Sequence, residues 1–208
     1  MKKILFSLAI ASVFIGCVNN PEGTEAETKA AADAAGTDGI SYRVDTAASS
    51  IAWHGNKVSG KHDGNIRIKE GTLVLNDGQL SGGNFTIDMV TITNNDLTDP
   101  EYNGKLVNHL KSDDFFAVEK YPNSTFVITG VNDLGNGKLN ISGNLTIRDT
   151  TNNITFESVV TENTDSRFAA TADFNIDRKK WNVLYTGMQD DLISDQINFK
   201  INLVALKD

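Results

Sequence analysis

Beyond Tyr42, apolar and polar residues alternate with a period of two along most of the chain, the pattern of strands with one buried face. Ile51 and Trp53 share one face while Ala52 and His54 take the other. Ile66 and Ile68 alternate with Arg67 and Lys69, and Gly71 interrupts the run before Leu73 and Leu75. Phe85, Ile87 and Met89 repeat the pattern, as do the pairs Phe126/Ile128, Leu139/Ile141, Leu145/Ile147 and Ile154/Phe156. Phe168, Ala170, Ala172, Phe174 and Ile176 form a longer run. The clearest is the last, with Ile197, Phe199, Ile201, Leu203 and Ala205 inward and Gln196, Asn198, Lys200 and Asn202 outward.

Turn signals separate these runs at Asn76-Asp77-Gly78, Gly82-Gly83, Asn136-Gly137 and Asp149-Thr150,. Asn136-Gly137 suits a two-residue hairpin, because both residues tolerate positive φ. One stretch departs from period two. Pro100 to Ala117 reads as a short helix near 101–116, with Leu106, His109, Leu110 and Asp113 at helical spacing,. About eight antiparallel strands with one apolar face each and a single helix predict an all-β fold. A closed barrel removes exposed edges; a two-sheet sandwich has the same periodicity.

The N-terminus follows a different logic. Lys2 and Lys3 precede an apolar run from Ile4 to Ile15, too short for the roughly 20 residues of a membrane-spanning helix,. The run stops at Gly16-Cys17, which resembles the lipobox of bacterial lipoproteins, although Phe14 stands where leucine is preferred. Residues 1–16 are therefore expected to be a signal peptide, with Cys17 as the lipidation site and membrane anchor. Cys17 is the sole cysteine, so no internal disulfide supports the fold,. The expected localisation is the cell envelope, at the outer membrane facing the periplasm. Residues 17–39 are rich in Ala, Glu, Thr, Gly and Asn and read as a flexible linker,. As a coil, its 22 residues after the cysteine would span roughly 26 Å. Residues 40–208 form one domain with enough length for a core.

Charge narrows the partners. Loss of the signal removes two lysines and no acid, so a net charge of −8 becomes −10. Phosphate backbones are bound by Lys and Arg that replace counterions, so this surface argues against nucleic acid.

Within the domain, several stretches in order resemble the YceI-like family. They include Gly60-Lys61-His62-Asp63-Gly64, Gly82-Gly83-Asn84-Phe85-Thr86-Ile87-Asp88-Met89 and His109-Leu110-Lys111-Ser112-Asp113-Asp114-Phe115-Phe116. Lys120-Tyr121-Pro122-Asn123-Ser124-Thr125-Phe126, Gly143-Asn144-Leu145-Thr146-Ile147-Arg148 and Phe174-Asn175-Ile176-Asp177-Arg178 continue it. The likeness spans about 42–206. After the arginine, Lys179-Lys180-Trp181-Asn182 departs from the small glycine-aromatic loop of many relatives. The resemblance implies a lipocalin-like barrel holding a polyisoprenoid or another long amphiphilic lipid.

The inward aromatics Trp53, Phe85, Phe126, Phe156, Phe168, Phe174 and Phe199 suit either a filled core or the wall of a ligand cavity,. Ala170 and Ala172 place small side chains among them, leaving room for a slim chain or for a neighbouring ring. His62 is a candidate for the barrel mouth. Arg178 is read as a structural partner of Asp177, or as a cation for an anionic headgroup. The histidines share no metal-ligand spacing, and no nucleophile elbow or phosphate-binding glycine loop is present,. The expected protein is a non-enzymatic lipid binder without a cofactor. The alternative is an interaction protein with a filled core.

Overall fold

Twelve strands and one α-helix make up the computed structural model, which describes residues 18–208. The expected signal segment, residues 1–16, and Cys17 lie outside the described residues. The strands are β1 (Thr24–Glu25), β2 (Glu27–Ala30), β3 (Ile40–Val44), β4 (Ser50–Lys57), β5 (Gly60–Asn76) and β6 (Gln79–Asp88). After the helix α1 (Pro100–Lys111) come β7 (Asn123–Gly135), β8 (Lys138–Ile147), β9 (Thr150–Asn163), β10 (Arg167–Asp177), β11 (Gly187–Met188) and β12 (Asp191–Lys207).

Antiparallel pairing runs from β5 through β6, β7, β8, β9, β10 and β12, and β3 and β4 close the circle between β12 and β5. Because β3 and β4 share one strand position, the result is a closed eight-stranded barrel. The sandwich alternative falls. Hairpins at one end turn through Asp77-Gly78 and Asn136-Gly137, all four with positive φ, as tight two-residue turns require. The opposite end carries α1, the 3₁₀ turn Arg178–Trp181 and the β4–β5 turn.

Three expectations change in detail. The helix stops at Lys111, where Ser112 caps it and its N–H donates to His109 O at 3.1 Å; residues 112–117 form turns instead. Its start is set by Asp99, whose carboxylate accepts from the N–H groups of Glu101 and Tyr102,. Gly82-Gly83 is not a turn but lies within β6, and β5 runs through Gly71 with a register shift between Ile68 and Glu70,.

The largest change concerns residues 18–39. Instead of a flexible linker they form a belt that circles the barrel, touching each strand position in turn. Asn56 of β4 donates to Asn19 O (3.0 Å), Ser194 of β12 to Asn20 Oδ1 (2.9 Å), and Asn175 of β10 to Pro21 O (3.0 Å). Strand β1 then pairs with β10 and β2 with β9, filling the split left where β9–β10 pairing ends at Ala172 and Ser158. Further on, Asn144 of β8 both accepts from Ala32 N (3.0 Å) and donates to Ala32 O (2.6 Å). Ala35 N reaches Ile128 O of β7 at 2.9 Å, beyond the point where β6–β7 pairing stops. A Cβ built on Gly82 of β6 would lie 2.9 Å from Gly36 O, so glycine there admits the belt's backbone,. The belt lacks apolar bulk because strand edges and asparagines hold it through its backbone.

Candidate functional site: an apolar cavity along the barrel

The barrel encloses an apolar cavity of about 260 Å³, close to the lower end of the roughly 300–1,000 Å³ usual for small-ligand pockets. At the hairpin end it is sealed by Leu73, Leu80, Ile128 and Phe168, all buried. Leu106, Leu110 and Phe115 roof it at the helix end; Asn56, His62 and Ile193 line it beside that roof, near the β4–β5 turn and the start of β12, which is where we read its mouth.

Aromatic rings line the wall rather than fill the middle, and glycines explain how. Phe85 pairs across from Gly71, where a Cβ would lie 2.8 Å from Phe85 Cδ1. Trp53 pairs across from Gly64, where a Cβ would overlap Thr93 O and lie 2.7 Å from the indole, whose Nε1 donates to that same carbonyl at 3.1 Å. Phe126 of β7 lies flat over Gly143 of β8. It thereby reaches Phe156 of β9 at 5.8 Å between centroids, and Phe156 stacks on Phe174 of β10 at 4.1 Å. With Phe85 and Phe199 each 6.2 Å from their neighbours, the five phenylalanines form a continuous arc from β6 to β12. An inward glycine beside each of three rings keeps those rings against the sheet. Ala170 also borders the cavity, whereas Ala172 packs into the cluster around Phe174 and Trp181.

All nine residues singled out from the sequence border this one cavity: Trp53, His62, Phe85, Phe126, Phe156, Phe168, Phe174, Arg178 and Phe199. Two have different surroundings from those expected. His62, in the glycine-flanked stretch Gly60–Gly64, lies on β5 and is engaged within the protein, with Nδ1 2.8 Å from Asp96 Oδ2. Burial works against the Asp96 carboxylate, but bonds from Asp63 N and from the His62 and Asn94 side chains hold it below the usual carboxylate range. Arg178 does not bridge to Asp177, which instead caps the 3₁₀ turn through Lys179 N (3.0 Å). Its guanidinium donates to Ser194 O (3.1 Å), Val183 O (2.6 Å) and Asp195 Oδ1 (3.3 Å), closing the loop above the mouth. Burial pushes this guanidinium down from its ordinary value, and Asp195 and Asp177 draw it back.

Sequence reasoning did not single out the buried Ser124, whose Oγ borders the cavity with no hydrogen-bond partner among the described residues. A serine between Asn123 and Thr125 at a strand start carries no sequence signal of such a position. Among the described residues, no group of three His, Cys, Asp or Glu is placed to hold a metal ion.

At the mouth, Asp191 ties two segments together: it accepts from Lys57 Nζ at 2.9 Å and from Ser59 N at 3.0 Å. The Lys57 ammonium, then the Ser59 N–H, bring its pKa from 3.8 to about 2. A depressed carboxylate stabilises the fold fully above its unfolded value and loses that contribution as pH falls through its folded value. The clip is therefore expected to be intact at pH 4 and to open as pH falls from 3.8 through about 2. A carboxyl-carbon NMR titration should place the Asp191 midpoint near 2, with the Val58 amide shift following it.

Comparison with known proteins agrees with this geometry. A family model described as a YceI-like domain matches residues 42–205. A UPF0312 protein of Shewanella denitrificans is 35% identical over 98 residues, 47% of this chain and 51% of that protein. A UPF0312 protein of Vibrio parahaemolyticus is 46% identical over 50 residues, 24% and 26% of the two chains. The chain thus spans about half or less of the length of these curated relatives. Among solved structures, BcnA of Burkholderia cenocepacia superposes with a TM-score of 0.64 at 23% identity, covering 78% of this chain and 99% of that one. A polyisoprenoid binding domain from Saccharophagus degradans, implicated in plant cell wall breakdown, superposes with a TM-score of 0.61 at 13% identity, covering 81% and 99%. At these identities the two structures share the fold.

Proposed function

This chain belongs to the YceI-like family, and on that premise we propose that it is a lipid-anchored envelope protein whose barrel holds a slim amphiphilic chain of isoprenoid type. The observation that carries the reading is the apolar cavity itself, kept open by rings folded onto glycines. A barrel selected only for stability would place side chains in that space, because an unfilled apolar volume forfeits packing. The Ser124 hydroxyl, buried without a partner, suits a ligand bearing an oxygen function, since an unpaired buried polar group is costly,. The neighbour that is described as binding a polyisoprenoid has the same fold. Acylated Cys17 is the proposed anchor, at the outer membrane facing the periplasm. The protein acts by sequestration or transport, without catalysis.

Organic extracts of the natively purified protein, read by mass spectrometry, are expected to contain an isoprenoid, quinone or fatty chain. Ala170→Phe fills the cavity at an overpacking cost of about 1–3 kcal/mol. It should cut the recovered lipid about tenfold while circular dichroism still reports the barrel. Equal recovery from both proteins, or no lipid from either, would sink the reading in favour of a filled barrel that works through its exterior.

A further inference from the structure

The belt moves the proposed anchor to a specific place. Val18 and Asn19 lie along the β4–β5 turn, in a surface hollow they share with residues 56–61, and Asn56 holds Asn19. Cys17 immediately precedes Val18 in the sequence. Asn56 borders the cavity as well as the belt. Acyl chains on Cys17 would therefore emerge beside the cavity mouth, and the roughly 26 Å of slack expected of a coil is taken up by the wrapped segment.

Several apolar side chains are exposed at this point, among polar neighbours such as Lys61 and Asp190. Val58 is 50% exposed at the tip of the β4–β5 turn, and its N–H donates to Leu192 O at 2.9 Å. Leu192 (36%) stands next to Ile193 of the cavity wall, while Met188 (64%) and Leu184 (59%) project from the segment leading into β12. The Lys57–Asp191 pair braces the two segments under these tips. A braced apolar rim, next to an acyl anchor and around the opening of an apolar cavity, matches a surface that enters the headgroup region.

We infer that the helix-end rim of Val58, Leu184, Met188 and Leu192 seats directly on a lipid bilayer, holding the cavity mouth against the membrane that supplies its ligand. The inference rests on the reading of Cys17 as acylated. Its consequence is a transfer route in which an apolar chain passes between bilayer and barrel without crossing water. A flexibly tethered barrel would have no preferred face toward the membrane.

The test uses the full chain, purified from envelopes and reconstituted in vesicles of phosphatidylethanolamine and phosphatidylglycerol doped with brominated acyl chains. An environment-sensitive fluorophore is placed on Val58→Cys, Met188→Cys or, at the far hairpin end, Asn136→Cys. The two rim labels should shift to the blue and lose about half of their emission to brominated lipid, given an insertion of roughly 5–10 Å. The Asn136 label lies roughly 30 Å away along a ten-residue strand and should be unaffected. An acylated, vesicle-bound protein whose rim labels are no more quenched than the Asn136 label overturns the seat and leaves the anchor standing. Absence of acyl mass on Cys17 overturns both. A blue shift without vesicles that grows with protein concentration overturns the seat in favour of a second copy of the chain.

Discussion

Trp181→Ala is expected to destabilise the protein by about 3–5 kcal/mol, as removal of a fully buried large aromatic does. Trp181 is 0% exposed and sits in the cluster of Ala26, Ile147, Ile154, Phe174 and Ile176, where the belt enters the split between β9 and β10. Its Nε1 donates to Leu145 O at 2.9 Å, so truncation also frees a backbone carbonyl of β8. The local chain is shaped to deliver the ring. Asp177 caps the 3₁₀ turn, and Asn182 at φ 58 reverses the chain immediately after the tryptophan,. For a domain of this size the melting temperature should fall by roughly 10 °C. Trp181→Phe should lose only about 1–2 kcal/mol, since it keeps most of the apolar contact and forfeits the hydrogen bond. Hydrogen exchange gives a local readout. Protection of the Ala26 amide, bonded to Asn175 O at 2.8 Å, should fall more than that of the distant β5–β6 ladder. Equal loss everywhere would argue against a special link between Trp181 and the belt.

The alternation along β5, β10 and β12 made the barrel and its inward face legible, because a half-buried strand writes its burial with period two,. The aromatics of the cavity wall followed from the same pattern. Hollowness did not follow, since an inward phenylalanine has the same period whether it lies across the barrel or flat on a strand. Gly143 was the clue: it occupies an inward position opposite Ile154, where a core strand would ordinarily carry bulk.

The belt escaped because composition reports what a segment can bury with its own side chains. Residues 18–39 bury little and are instead held by groups on the strands. Those groups are visible in the sequence as asparagines at outward positions: Asn144, Asn153, Asn175 and Asn198. The last three are buried, although their faces point away from the cavity. Asn198 donates to Asp173 Oδ1 (2.7 Å) and Asn175 Oδ1 (2.9 Å), which orients the Asn175 amide toward Pro21 O. An outward strand face carrying asparagine where lysine, glutamate or threonine is usual indicates that backbone covers it. Gly82 was misread for a related reason. Glycine signals a turn and the close approach of another chain in the same way, and only the fold separates the two.

Arg178 ties the cavity to its rim, and Arg178→Leu is expected to destabilise the protein by about 3 kcal/mol. Arg178 is 1% exposed, and its guanidinium bonds to Ser194 O and Val183 O on opposite sides of the loop that carries Leu184, Met188 and Leu192. Leucine fills much of the volume yet leaves both carbonyls unpaired, at about 1–3 kcal/mol for each buried orphan. Asp195 is less affected, because Lys179 Nζ also contacts it at 2.8 Å. Arg178→Lys should recover only a small part of the loss, since one ammonium cannot reproduce the planar fork that reaches several acceptors at once. Urea denaturation measures the global cost. The local consequence is sharper: amide exchange at Val183 and Ile193 should rise well before the barrel strands loosen, because the arginine is the link that makes this loop follow the barrel. A loop released in this way would leave the far, hairpin end of the cavity in place while its apolar lip lost a fixed position. Arg178, which also borders the cavity, therefore governs the geometry of the mouth through the loop it holds.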